Sequence, residues 1–124
     1  MAFSLDIVGP GAGKYSASIV EIRVFERPNR LLALITFVLD SDPPFSVPDF
    51  VSLRAERDGT DVIRGRARLR QLLQAIGRDP DSISSPDDLQ CLVGARVQVA
   101  IRVKERDGIQ VPEIASILPP AQEP

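Results

Sequence analysis

Hydrophobic residues recur every three or four positions in one stretch of this chain, whereas elsewhere they alternate with polar residues. The recurring stretch runs over 60–78, and at 100° per residue its apolar stripe consists of Val62, Gly65, Arg66, Leu69, Leu72, Leu73 and Ile76. Thr60 or Asp61 is expected to cap the first turn, and Gly77 to end the helix in the left-handed conformation. Most of the helix's other polar residues, Arg68 among them, are expected to point away from the packed side.

The alternating stretches predict three strands before the helix, over 14–27, 31–40 and 49–56, and two after it, over 95–104 and 109–118. The strand over 31–40 is apolar on both faces, which is typical of a central strand covered on both sides, with a buried helix as the alternative. Turns are predicted at Arg27-Pro28-Asn29-Arg30 and at Arg106-Asp107-Gly108, and a loop with three prolines over 41–48. Ser85-Pro86-Asp87-Asp88 predicts the start of a short helix, and Pro112 places the last strand at an edge or a bulge.

The order of these elements predicts a mainly β domain with one long helix. A β-β-β-α-β-β order is that of the OB-fold, a five-stranded Greek-key barrel, and an open α+β sheet with a helix on its face is the alternative. The helix is expected to pack against the most regular apolar row of the chain, Val97, Val99, Ile101 and Val103. The single domain is placed at 14–118, with a flexible lead-in over 1–13 and a frayed tail over 119–124.

Composition argues against an enzyme. The 124 residues include no His and no Trp, and Cys91 is the only cysteine, so no catalytic residue, metal site or cofactor is expected. The glycine-rich GPGAG lacks the Gly-Lys-Ser/Thr of a phosphate loop and is interpreted as a hinge. No apolar run approaches the length that spans a bilayer and the N-terminus does not have the pattern of a secretory signal, so a cytoplasmic protein is expected.

Arginine carries the positive evidence for binding. The net charge is only −2, but all except two of the 15 basic residues are arginine, the cation suited to planar phosphate contacts. Many fall on polar strand faces and in turns, where aromatic residues could also stack on bases. The candidate single-stranded DNA contacts are Tyr15, Arg23, Phe25, Arg27, Arg30, Phe50, Arg54, Arg96, Arg102, Lys104 and Arg106. A solvated sheet face with incidental charges is the alternative.

The chain also resembles a phage family of OB-fold-like single-stranded DNA-binding proteins, long labelled as of unknown function. The resemblance covers roughly residues 11–119 and is carried by Gly13-Lys14-Tyr15, LLALITFVLD, LRQLLQAIG, SPDDLQCLVGARVQVAIRV and a closing strand that ends in Pro119. The chain departs from the family at Val111-Pro112-Glu113, where members tend to carry Asn, and in a proline-rich rather than glycine-rich stretch after the second strand.

This resemblance implies a non-catalytic protein that holds single-stranded DNA during phage or mobile-element replication or recombination in a bacterial host. A homodimer is expected, because the second strand is apolar on both faces and the last strand should form an edge. The alternative is an adaptor module that docks a recombinase, a nuclease or a host factor.

Overall fold

Over the residues that the structure describes, the protein is mainly β, with five antiparallel strands in one sheet and one α-helix. The structure is a computed structural model that describes residues 11–41, 44–55, 59–83 and 85–120. Its elements in chain order are β1 (Gly13–Arg27), β2 (Arg30–Leu39), β3 (Phe45–Ala55), α1 (Thr60–Ala75), two short 3-10 helices (Pro80–Ser82 and Pro86–Leu92), β4 (Arg96–Arg106) and β5 (Ile109–Leu118). The predicted order of three strands, a helix and two strands is therefore confirmed.

The strands are ordered β3-β2-β1-β4-β5 across the sheet. The long strand β1 pairs with β4 through its first half and with β2 along most of its length, so that it links the two halves of the sheet. Strands β3 and β5 form the two ends of this order, and no ladder joins them within the described residues. The two end strands nevertheless contact one another, and α1 packs against both.

A bulge in β1 explains a change of phase in its sequence pattern. Ala17 and Ile19 are buried in the first half of the strand, and Ile22 is buried in the second half. The register shifts between Ile19 and Glu21, where Val20 is the extra residue. Because an extra residue reverses the side-chain alternation, both halves of β1 present an apolar face to the same core.

One buried cluster joins the inner side of the sheet to the helix. Leu72 and Leu73 of α1 lie in this cluster with Val97, Val99 and Ile101 of β4. The predicted apolar faces therefore share a core, but the strands that α1 mainly contacts are β3 and β5 rather than β4. The helix lies over the gap between the two end strands.

Strand β2 is covered more fully on one face than on the other. Leu31, Ala33, Ile35, Phe37 and Leu39 are buried, whereas the alternate residues are only half-buried. The prediction of a central strand is confirmed by its place between β1 and β3. Its outward apolar residues are left partly exposed, contrary to the expectation of cover on both sides.

Strand β3 begins within the stretch that was predicted to be a loop. It starts at Phe45 rather than at 49, and Pro48 lies opposite Thr36 in the ladder. Because β3 is at the end of the sheet order, a proline can be accommodated there without breaking a central ladder.

The ends of α1 differ in part from the prediction. The helix begins at Thr60, but its N-cap is Gly59, which has no side chain to cap the first turn. It ends at Ala75, three residues before the predicted end, and Gly77 has the expected left-handed φ of 77°.

The short helix and the hairpin turn that were predicted after α1 are both confirmed. In the short helix that begins at Pro86, the Asp88 carboxylate accepts a hydrogen bond of 3.0 Å from the backbone N–H of Ser85. The β4–β5 hairpin turns at Asp107 and Gly108, which both have positive φ, as a type I′ turn requires.

Candidate functional site

On the outward side of β1, β2 and β3, two of the predicted DNA contacts lie in one row across the strands, with a leucine between them. Arg23 of β1 lies opposite Leu34 of β2, and Leu34 lies opposite Phe50 of β3. In the next row, Phe25 lies opposite Leu32. Phe50 is 64% exposed, so its ring is accessible from solvent on this side of the sheet. We call the outward residues of β1, β2 and β3 the outer face.

The turn between β1 and β2 places two arginines at one end of the outer face. Arg27 and Arg30 lie opposite one another in the ladder, and both are exposed. Neither has an ion pair within the described residues. Like charges opposite one another across two strands repel, so a bound anion would relieve this repulsion.

A cleft opens between β3 and the β4–β5 hairpin, at the opposite edge of the outer face. Its volume is about 430 Å³. Phe50 and Pro48 form one wall, and Arg102 and Arg106 lie on the other side. We call it the β3–β5 cleft, and its lining is completed by Asp49, Arg68, Val111, Pro112, Glu113 and Ile114.

Two carboxylates face this cleft together with the arginines. Glu113 lies opposite Arg102 in the β4–β5 ladder and forms an ion pair with the Arg102 guanidinium. Asp49 lies 3.3 Å from the Nε of Arg68, with side chains that are 17% and 21% exposed. Arg106 has no ion pair among the described residues, so its guanidinium is available to a ligand.

The environment of Asp49 disfavours its charge. Burial raises the pKa of the Asp49 carboxyl, the Arg68 guanidinium lowers it by a smaller amount, and the Glu113 carboxylate raises it further. The Oδ2 atom is buried without a hydrogen bond of acceptable geometry. Asp49 is therefore a partly buried carboxyl at the cleft floor whose charged form is disfavoured.

Two polar side chains of α1 bond β5 below the cleft, and one of them, Arg68, also reaches β3. Arg68 donates a 3.1 Å hydrogen bond to the carbonyl of Ile114 in β5 while it lies against Asp49 of β3. The Gln71 side-chain oxygen accepts a 3.1 Å hydrogen bond from the backbone N–H of Ile117. The expectation that Arg68 points away from the packed side is therefore wrong, because α1 lies across β3 and β5 and the flank of its stripe that carries Arg68 is covered. We call these contacts the polar seam.

The other predicted site residues lie outside the β3–β5 cleft. The Tyr15 ring packs against the core and its hydroxyl donates a 2.8 Å hydrogen bond to the carbonyl of Gly11. Arg96 pairs with Asp40 and donates a 3.0 Å hydrogen bond to the hydroxyl of Ser18. Arg54 and Lys104 are exposed, the first near the end of β3 and the second on the outward side of β4.

The structure thus brings together part of the predicted set. Phe50, Arg102 and Arg106 share the β3–β5 cleft, and Arg23, Phe25 and Phe50 share the outer face. Sequence reasoning missed Asp49, Arg68 and Glu113. A signal for Asp49 was present, because it occupies the inward phase of β3 between Val47 and Val51, where a polar residue is unexpected.

No protein-family model matches this chain, and no curated protein matches it significantly. Among the described helices, none combines the length and apolar character that crossing a membrane requires. Within the same residues, no group of three His, Cys, Asp or Glu side chains is placed to hold a metal ion.

Proposed function

We propose that the protein is a non-catalytic single-stranded DNA-binding protein with an OB-fold-like barrel. The strand order supports this assignment, since a helix between the third and fourth strands and antiparallel pairing of the first strand with both the second and the fourth are the OB pattern. Contact between β3 and β5 under α1 would complete the barrel. The surface around the second and third strands and the adjoining loops is where OB-folds hold oligonucleotides.

The observation that carries the proposal is the exposed Phe50 ring between arginines on both sides. Arg23, which forms an ion pair of 2.6 Å with Glu21, lies two strands away in the same row of the outer face, and Arg102 and Arg106 lie across the β3–β5 cleft. A base can stack on an exposed phenyl ring while guanidinium groups contact the flanking phosphates, and this combination is the usual mode of single-strand binding. Arg27 and Arg30 would extend the phosphate path beyond Phe25.

In this proposal the protein acts during phage or mobile-element replication or recombination, in the cytoplasm of a bacterial host. The net charge of −2 leaves little non-specific attraction for DNA, so each domain should bind modestly. Dimerisation would raise the affinity by engaging one strand at two sites.

The test is titration of a fluorescent oligo-dT with the wild type and with Phe50→Ala at low and at moderate salt. The affinity should fall as salt rises, with a log–log slope of about 0.7 per phosphate neutralised. Phe50→Ala should weaken binding by roughly five- to 150-fold, the range of one base–aromatic stack. Ile63→Ala is the matched control, because Ile63 is also a largely exposed hydrophobic residue, but lies on α1; it should bind as the wild type does.

A protein–protein adaptor is the second candidate, and the apolar residues of β2 favour it. Leu32 and Leu34 are only half-buried on the outer face, where a partner could cover them. The absence of any oligonucleotide binding at low salt would support this adaptor function instead.

A further inference from the structure

The β3–β5 cleft combines three kinds of group that a phosphate-binding groove alone does not need. It has an exposed aromatic ring in Phe50, a guanidinium in Arg106 that has no ion pair among the described residues, and a carboxylate in Glu113. A carboxylate repels a phosphate, so its presence beside the stacking ring points to recognition of a base. The further inference rests on the proposed function and concerns which base the cleft accepts.

The carboxylate of Glu113 retains acceptor capacity. A carboxylate offers about four lone-pair sites, and only the contact of Oε1 with the Arg102 Nε is formed within the described residues. Because an ionised carboxylate only accepts hydrogen bonds, it selects a ligand edge that donates them.

Guanine is the base whose edges fit this arrangement. Its Watson–Crick edge presents two adjacent donors, N1–H and the N2 amino group, which match the two oxygens of one carboxylate. Its O6 and N7 acceptors match a guanidinium, the commonest partner of guanine in proteins. Thymine presents its single N3–H between two carbonyl oxygens, and cytosine and adenine place a bare ring nitrogen next to their amino groups.

We infer that the β3–β5 cleft is a guanine-binding subsite, in which the base stacks on Phe50, donates to the Glu113 carboxylate and accepts from the Arg106 guanidinium. Unstacked bases of a single strand can be recognised by such edge contacts together with stacking. The outer face would hold the neighbouring nucleotides without sequence preference.

The test uses a labelled dT12 oligonucleotide and three versions in which one central thymine is replaced by guanine, adenine or cytosine. The wild type should bind the guanine version about five- to tenfold more tightly than dT12, the lower part of the discrimination expected from a bidentate pair. Glu113→Gln should bring the two affinities to within about twofold of each other, because its amide group presents only one acceptor. It should leave the affinity for dT12 unchanged or raise it, since a negative charge has been removed.

Asp40→Asn is the matched control, because Asp40 also pairs with a β4 arginine, Arg96, but lies outside the cleft. It should keep the guanine preference. Equal affinities for all four oligonucleotides, or a preference that survives in Glu113→Gln, would overturn the subsite.

Titration with dGMP and dTMP, followed by NMR, separates this subsite from the proposed function. Binding of dGMP, but not dTMP, by a protein that binds no oligonucleotide at low salt would retain the guanine subsite and refute the DNA-binding function. Failure to bind either the oligonucleotides or dGMP would refute both. Oligonucleotide binding without base preference would refute only the subsite.

Discussion

Substituting Arg68 tests the idea that polar side chains of α1 hold the two end strands together. In the structure its guanidinium bonds the Ile114 carbonyl at 3.1 Å and lies 3.3 Å from the Asp49 carboxylate. Arg68→Ala removes both contacts and leaves Asp49 without its counter-charge in a site that is 17% exposed. The variant should therefore be markedly less stable than the wild type.

The expected loss follows from these contacts. A hydrogen bond to a charged group contributes about 1.5–3 kcal/mol, and removing one partner of a fully buried ion pair costs about 3–5 kcal/mol. The pair here is only partly buried and Asp49 can take up a proton, so the two effects overlap. We expect Arg68→Ala to lower the free energy of unfolding by about 2–4 kcal/mol, a large part of the roughly 5–15 kcal/mol of a domain.

Denaturant unfolding of four variants would measure this loss and assign it. Arg70→Ala is the control, because Arg70 is an exposed arginine of the same helix without a partner in the described residues; it should change stability by about 0.5 kcal/mol or less. A double-mutant cycle of Arg68→Ala with Asp49→Asn should give a coupling of about 1–3 kcal/mol. Equal effects of Arg68→Ala and Arg70→Ala, or a coupling near zero, would refute the polar seam.

Three further predictions concern packing, titration and association. Gly65→Ala should lower the free energy of unfolding by about 3 kcal/mol or more in a denaturant melt, because the new Cβ would lie 2.1 Å from the Ser52 carbonyl oxygen. Gly59→Ala is the control, because the space around its Cβ is open, and it should lower that free energy by about 1 kcal/mol or less. Equal losses in the two variants would contradict the close approach of α1 to β3. Burial raises the pKa of Asp49 in the native state, so between the ordinary aspartate pKa and the raised one the native state retains a proton that the unfolded chain has lost. The free energy of unfolding should therefore fall as pH rises through this range. Melts of Asp49→Asn over the same range should lack this dependence. Light scattering should report a dimer at micromolar concentrations, because an exposed strand edge invites pairing, and a monomeric wild type would contradict the expected association.

The order and type of the elements could be predicted because local chemistry determines them. Alternation identified the five strands, Gly77 the helix end, and Asp107-Gly108 the last hairpin. The bulge at Val20 could not be placed from the sequence. A reversal of the alternation indicates that β1 contains an extra residue, but the position of that residue depends on the pairing of β1 with β2. The early start of β3 likewise depends on a neighbour that tolerates Pro48.

The error at Arg68 has a specific cause. By helical spacing Arg68 is three residues after Gly65 and four before Leu72, both of which are buried, so it belongs to the packed side of α1. The charge of Arg68 suggested a position in solvent. A polar residue on the packed side of a helix can instead form hydrogen bonds with backbone groups at the edge of a sheet, as Arg68 does with the Ile114 carbonyl. The cleft itself could not be predicted, since Phe50 and Glu113 are distant in sequence and meet only where the two ends of the sheet approach.

The polar seam and the β3–β5 cleft share Asp49 and Arg68, and this links the stability of the fold to its proposed recognition site. Arg68 bonds Ile114 of β5 and approaches Asp49 of β3, so it links the two strands that carry Glu113 and Phe50. Burial of the Asp49 charge is unfavourable for folding, and replacement by an apolar residue would remove that penalty. A polar group that lowers stability at the floor of a cleft is typical of functional sites. The Arg96–Asp40 pair is exposed to solvent and has no such unfavourable burial, so the β3–β5 cleft is the better candidate for the site.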